Sequence, residues 1–225
     1  MTLKKDTEKS EKFKLIQQGA EAKIYLNQEE SLIIKKRISK EYRHEELDKK
    51  LRKRRTKSET KIMIQASEII NVPCPLDKPG EIFSELRIPY IKGEKLSDFL
   101  NNFDFKKQKN ICFEIGKSVA LLHKKGIIHG DLTTSNMIAD SSSINKHCLR
   151  IYFIDFGLGF YSDKIEDKAV DLHLLKQALE AKHFQKWEKL YLEVQKGYIS
   201  GYEKEPAEQV FKRIERVEKR GRYKH

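Results

Sequence analysis

The 225 residues suffice for one large domain or two small lobes, and 38% hydrophobic against 36% charged is a lean, surface-rich balance. The formal net charge of +12 points to an anionic partner such as nucleic acid, although a lysine-rich surface also serves solubility alone. No apolar run approaches the roughly 20 residues of a membrane span. The three cysteines, Cys74, Cys112 and Cys148, lack C-x-x-C spacing, which argues against zinc and disulfides and for a reducing compartment.

Residues 1–12 are polar and charged with no secretory core, so they read as a frayed tail and place the protein in the cytoplasm, or the nucleus of a eukaryote. Residues 13–92 read as a small lobe. Strands are expected at Lys14–Gln18, Ala22–Leu26 and Leu32–Lys36, joined by a turn at Gly19 and a polar turn at Asn27–Ser31. Gly19, Ala20, Glu21 and Ala22 stand where a phosphate-covering loop would lie, but with one glycine an ordinary hairpin reads equally well. Lys35 follows three apolar residues on the third strand. It is either a phosphate-reaching cation or one member of a basic edge cluster with Lys36 and Arg37.

A long helix is expected over Arg43–Ile70, with Leu47, Leu51, Ile62, Ile64 and Ile69 as its sparse apolar positions. Its dense basic run, Lys49, Lys50, Arg52, Lys53, Arg54, Arg55 and Lys57, is a solvated face or a patch for phosphate backbone. Glu59 is the candidate to pair with Lys35, since phosphoryl-transfer enzymes aim a strand lysine with a helix glutamate; Glu68, nearer the helix end, competes. Val72-Pro73-Cys74-Pro75 breaks the helix. Strand candidates follow at Glu81–Phe83 and Glu85–Tyr90. Ile88, Pro89 and Ile91 are then hinge candidates for adenine, where a carbonyl contact tolerates a proline without an N–H.

Residues 93–219 read as a mainly helical second lobe. Helices are expected at Leu96–Asn102, Lys107–Lys124 with Gly126 as its stop, Glu166–Lys182, Trp187–Tyr202 and Pro206–Lys219. Short strands are expected at Met137–Ala139 and Leu149–Ile154, around a polar turn at Asp140–His147. Residues 220–225 are a basic, mobile tail. Between the helices lies I-I-H-G-D-L-T-T-S-N, Ile127–Asn136, echoed by I-D-F-G at Ile154–Gly157. Asp131 can accept a hydrogen bond from an attacking hydroxyl or water. Asn136 and Asp155 offer the hard oxygens that hold Mg²⁺ against ATP phosphates. Each triplet alone is weak; both in order, after an upstream strand lysine, make a strong signal.

Taken together, these residues resemble the small atypical serine/threonine kinases of the KEOPS (EKC) complex, the p53-related protein kinase family. The resemblance runs almost end to end: G-A-E-A, I-K-K-R-I-S-K-E-Y-R-H at Ile34–His44, Leu47-Asp48, R-T-K-S-E at Arg55–Glu59, H-G-D-L-T-T-S-N, I-D-F-G-L-G, E-D-K-A-V-D-L at Glu166–Leu172 and R-G-R at Arg220–Arg222. It implies an α+β, bilobal protein-kinase-like fold, with a small antiparallel sheet lobe plus one long helix and a reduced, mainly helical C-terminal lobe. It also implies ATP and Mg²⁺ as cofactors. Lys35 would contact the phosphates and pair with Glu59, Asp131 would be the catalytic aspartate, and Asn136 and Asp155 would bind the metal. Asp171 would brace the catalytic loop, and His129 would pack beneath it rather than handle protons.

The implied activity is Mg²⁺-dependent transfer of the ATP γ-phosphate to water or Ser/Thr, beside a threonylcarbamoyl-transferase subunit, in making N6-threonylcarbamoyladenosine in tRNA. The C-terminal lobe would dock on that subunit, with Arg220, Arg222 and Lys224 reaching toward the tRNA; the plainer reading of these three is a solubilising tail. Two departures from regulated protein kinases shape this expectation. Gly130 stands where they carry an arginine, and only Phe156–Val170 separates Asp155 from Asp171, too little for a peptide platform. The competing readings are a small-molecule kinase of the aminoglycoside or choline type, and a non-catalytic scaffold. The short C-terminal half disfavours the first, and the complete set Lys35, Glu59, Asp131, Asn136 and Asp155 disfavours the second.

Overall fold

The computed structural model describes residues 13–78, 81, 84–143 and 149–222, and the chain divides into two compact units. One comprises the residues to Gln65 together with Pro73–Ile91, the other Ala66–Val72 and the chain from Lys92 onward.

The first unit is a four-stranded antiparallel sheet in the order β1-β2-β3-β4: β1 Lys14–Gln18, β2 Ala22–Asn27, β3 Leu32–Arg37 and β4 Glu85–Pro89. Helix α1, Glu45–Ser67, enters between β3 and β4 and is shorter at both ends than the periodicity suggests. Ala22, Leu26, Leu32 and Leu86 from the sheet are buried, as are Ile62 and Met63 from α1. The strand candidate at Glu81–Phe83 has Glu81 in a turn; its other two residues lie outside the described residues.

The loop before α1 is held by one carboxylate. Asp48, 1% exposed, accepts from Ser39 Oγ at 3.0 Å, the Lys40 N–H at 3.3 Å and Arg52 Nε at 2.7 Å, with Arg43 at 3.7 Å. Burial pushes this carboxyl up, but the Arg52, Ser39 and Lys40 hydrogen bonds outweigh it and hold it below the usual range. Sequence reading singled out Arg43 and Asp48 only as family-like letters; the structure shows that they fold this loop.

In the second unit, β5 Gly93–Lys95, β7 Met137–Asp140 and β8 Ile151–Phe153 form an antiparallel sheet in the order β5-β7-β8. A two-residue pair joins β6 Ile127–Ile128 to β9 Phe160–Tyr161. Helix α2, Leu96–Phe99, runs into a 3₁₀ turn at Leu100–Asn102. The remaining helices are α3 Phe105–Lys124, α4 Ile165–Lys182, α5 Trp187–Tyr202 and α6 Lys204–Arg222. Asp104 caps α3 by accepting the Lys107 N–H at 2.9 Å, and Gly126 ends it with φ +69°, a left-handed stop that glycine adopts without strain. Helix α6 continues through Arg220 to Arg222, two positions expected in a mobile tail; Lys224 and residues 1–12 lie outside the described residues.

The centre of this unit is the crossing of α3 and α5. A Cβ on Gly116 would fall 2.0 Å from the Val194 carbonyl oxygen, and one on Gly197 would fall 1.9 Å from that of Phe113. The two backbones therefore touch, with Ile115, Val119, Val194 and Tyr198 buried around them. Gly197→Ala must push the helices apart and is expected to cost about 1–3 kcal/mol, read as a lowered urea midpoint. A midpoint equal to that of the parent chain would contradict the contact.

Cys112 is buried on α3, its thiol pushed up to about 12 by burial and by the Glu193 charge, whereas Cys74 is exposed. Cys148 lies outside the described residues. No helix among the described residues is long and apolar enough to cross a membrane.

Candidate phosphoryl-transfer site

In the first unit the structure brings Lys35 and Glu59 together. Lys35 Nζ donates to Glu59 Oε1 at 2.7 Å, and Arg37 donates to Glu59 Oε2 at 2.6 Å. The Glu59 and Arg37 side chains are 2% and 6% exposed, and Lys35 13%. Residues two apart on a strand share a face, so Arg37 follows Lys35 onto the glutamate. One buried carboxylate thus takes a cation on each oxygen, which fixes its rotation and aims Lys35. Glu68 lies beyond the end of α1.

The Gly19–Ala22 turn is pinned in two places. Lys40 Nζ donates to the Ala20 carbonyl, and Arg55 donates to the Glu21 carboxylate. Partial burial raises Glu21, but Arg55 with help from Arg43 and Lys40 pulls it lower, so it stays ionised. Gly19 itself is uncrowded, the nearest atom to an added Cβ being the Ala22 oxygen at 3.7 Å. At the hinge candidates, Pro89 closes β4 opposite Leu32, the Tyr90 N–H donates to the Ser31 carbonyl at 2.7 Å, and Ile91 follows half-buried.

The second unit holds the residues of the expected catalytic loop in one hydrogen-bonded group. Asn136 Nδ2 donates to both the backbone oxygen and Oδ2 of Asp131, each at 2.9 Å. With its NH₂ so committed, Asn136 leaves its Oδ1 an acceptor that no hydrogen bond reaches among the described residues. Its own backbone oxygen takes the Ile154 N–H at 2.9 Å, which ties the loop to the strand leading into Asp155. Asp155 has φ +62°, a left-handed conformation that aspartate tolerates better than most residues, and its Oδ1 accepts the Gly157 N–H at 3.2 Å. Phe156 is fully buried against the His129 ring at 4.5 Å.

His129 is a support. Its Nε2 faces the Ile154 carbonyl at 3.1 Å and must donate, so Nδ1 is left to accept the Asp131 N–H at 3.3 Å. Burial holds its pKa below the ordinary histidine value, against the opposite pull of Asp171, the Ile154 hydrogen bond, Asp155 and Asp131. Because the folded value lies below the unfolded one, about 6.5, the unfolded chain takes up this proton first as pH falls. Stability is therefore complete above about pH 6.5 and declines below it. Nucleotide-free protein should show a urea midpoint that falls between pH 7.5 and 5.5, and His129→Gln should flatten that slope. An equal slope in the variant would contradict the neutral tautomer.

Asp171 on α4 carries the loop from beneath. Its Oδ2 accepts the His129 N–H at 2.9 Å and faces His123 Nε2 at 3.1 Å, while Oδ1 accepts the Gly130 N–H at 2.9 Å. Burial raises this carboxyl, but the hydrogen bonds from His123 and from the His129 N–H bring it below the usual range. With His123 Nε2 donating to this carboxylate, Nδ1 of the neutral ring is left to accept from the Tyr198 hydroxyl at 3.0 Å, a phenol that burial holds protonated. A buried line thus runs from α5 through α3 and α4 to the catalytic loop. Gly130 has φ +80°, and a Cβ there would fall 2.3 Å from the Leu158 carbonyl oxygen.

Among the described residues no three His, Cys, Asp or Glu gather as a metal cage. Mg²⁺ needs none, since it is held by one or two protein oxygens plus substrate phosphates and water, and the free Asn136 Oδ1 with the Asp155 carboxylate is such a set. The side chains of Arg220 and Arg222 are not described, so the structure bears on none of the three tail candidates.

Residues 11–172 match the protein kinase domain family. The chain is 41% identical over 220 residues to the KEOPS complex subunit Bud32 of Pyrococcus abyssi, covering 94% of this chain and 96% of that one. It is 33% identical to a probable bifunctional tRNA threonylcarbamoyladenosine biosynthesis protein of Methanosarcina mazei, covering 93% of this chain but 35% of the larger protein. Among solved structures, the Rio2 kinase–ADP/Mg²⁺–phosphoaspartate complex from Chaetomium thermophilum shares the fold with TM-score 0.59 at 15% identity, covering 96% of this chain and 75% of that one.

Proposed function

The chain belongs to the protein kinase domain family and, within it, to the KEOPS-subunit Bud32 kinases, and from that premise we propose a Mg²⁺-dependent ATPase and serine/threonine kinase that serves threonylcarbamoyladenosine formation in tRNA. Lys35, aimed by Glu59, takes the ATP phosphates under the Gly19–Ala22 turn, and Pro89 and Ile91 offer backbone groups to adenine. Asn136 and Asp155 hold Mg²⁺, which when bound neutralises charge on the phosphate oxygens. Asp131 orients the attacking oxygen and accepts its proton.

The observation that carries this reading is the Asp131–Asn136 pair. Asn136 Nδ2 donates to Asp131 Oδ2 and to the backbone oxygen of the same residue, and no hydrogen bond reaches Asp131 Oδ1 among the described residues. One oxygen is thus anchored and the other open to an incoming hydroxyl. Water is the favoured acceptor. The segment Phe156–Lys164 between Asp155 and α4 is short and pinned by the β6–β9 pairing and by the Ser162 N–H on the Gly126 carbonyl at 2.8 Å, so it offers no peptide shelf. The Methanosarcina mazei relative joins a region like this chain to a larger remainder, which supports a transferase as working partner.

The test is ATP hydrolysis by the purified chain, alone and with the transferase subunit plus tRNA. Turnover that needs Mg²⁺ and rises with partner and tRNA supports the reading. Turnover indifferent to both would leave a free-standing kinase, and none in any mixture would leave a scaffold.

A further inference from the structure

Helix α1 shows solvent a row of cations that the phosphoryl-transfer site does not use. At 100° per residue, Lys50, Lys53, Arg54 and Lys57 fall within about 100° of arc. All four are exposed, while Asp48, Thr56, Glu59 and Met63 on the opposite side are buried. The row is about 10 Å long, and exposed Lys61 continues it by one turn.

The other cations of the helix hold the fold: Lys49 pairs with Glu45, Arg52 with Asp48, and Arg55 with Glu21. Among the described residues, Lys50, Lys53, Arg54 and Lys57 have no acidic partner. Among the acids of α1, Glu46 falls on this face, in the first turn, where it favours the helix dipole. Like charges at spacings of three and four repel, so the row weakens the helix without any contact in return.

We propose that this outward face of α1 is a docking surface for the phosphate backbone of a folded RNA; the choice of tRNA as that RNA rests on the function proposed above. Regular spacing of cations suits a polymer whose charges repeat, and backbone contacts of this kind position a nucleic acid without reading its sequence. A membrane-surface helix would set large apolar side chains beside its cations, but Leu47 in the first turn is the exposed large apolar residue of α1 among the described residues. A protein interface would be centred on aromatic anchors and depleted of lysine.

The experiment measures binding of a labelled, unmodified tRNA transcript to the full chain by fluorescence anisotropy across 50–300 mM KCl, values chosen for roughly tenfold or larger changes in affinity. Four phosphate contacts predict a slope of log K against log salt near about −3.6. The variant Lys50→Gln/Lys53→Gln/Arg54→Gln/Lys57→Gln is expected to flatten that slope by about 3 and to weaken binding at least ~10-fold at 100 mM. A control, Lys106→Gln/Lys117→Gln/Lys182→Gln/Lys189→Gln, removes the same charge from exposed positions of the second unit and should keep most of the affinity.

An unchanged slope in the α1 variant, an equal loss in the control, or no tRNA binding by the parent chain overturns the proposal. Binding to phosphatidylserine vesicles in place of tRNA overturns it as well. ATP hydrolysis without tRNA separates the two readings. Turnover with tRNA binding indifferent to the α1 substitutions sinks the surface alone; tRNA binding through α1 without turnover sinks the phosphoryl-transfer reading alone.

Discussion

Asp131→Ala is expected to lower ATP turnover by about 10²–10⁴-fold while leaving the fold in place. In the mechanism proposed above the carboxylate accepts the proton of the attacking oxygen, and its Oδ2 is anchored by Asn136. Asn136 is anchored twice, however, and one of its acceptors is the backbone oxygen of residue 131, which alanine retains. The amide should therefore keep its orientation, and with it the Oδ1 offered to Mg²⁺. Loss of a single partly buried hydrogen bond costs about 1 kcal/mol, so the urea midpoint should move little. Steady-state hydrolysis with saturating ATP, read beside that midpoint, separates lost chemistry from lost structure. Unchanged turnover in a folded variant would remove Asp131 from the mechanism.

The second large effect is on stability. Asp171→Ala deletes the shared acceptor of the His129 and Gly130 N–H groups and the partner of His123 Nε2, all deep in the second unit. Two buried donors and one partly buried donor then face a cavity, and the expected cost is about 3–5 kcal/mol. Asp171→Asn is the milder companion. It keeps the volume and one acceptor oxygen, but its NH₂ must face a donor, so it should fall between the parent and the alanine variant. Both should lose ATP turnover along with stability, because the same hydrogen bonds place Asp131. A cost below about 1 kcal/mol for Asp171→Ala would show that the loop is held by something else.

How much of this was legible beforehand depends on how local each signal is. The expected bounds of β1 and α5 match those observed, because alternation and helical periodicity are properties of adjacent residues. Strands β5, β6 and β9 have too few residues to show a period and exist because a neighbour pairs with them. Lys35 and Glu59 were legible as a pair through motif order. Arg37 was set aside with a basic cluster, although its place two residues beyond Lys35 on a strand is the signal that could have identified it.

The line from Tyr198 to Asp171 was not legible in the same way. Tyr198 and His123 are 75 positions apart, and only the contact of α3 with α5, made possible by Gly116 and Gly197, brings them together. The helix boundary at the C-terminus was misjudged for a related reason. Arg220-Gly221-Arg222 reads as a tail by composition, and glycine is a poor helix former, yet α6 carries through it.

Gly130 has a consequence for anyone wishing to engineer control into this enzyme. Regulated relatives of the fold use an arginine there as the receiver of a phosphorylated loop, and grafting that arginine looks like a one-letter edit. The backbone at position 130 is left-handed and the Leu158 carbonyl fills the space of a side chain. The edit would first have to rebuild the Leu158 turn and then supply a longer loop for the arginine to receive. A switchable version is thus a redesign of two segments at once, and designers would do better to gate the supply of partners than the loop itself.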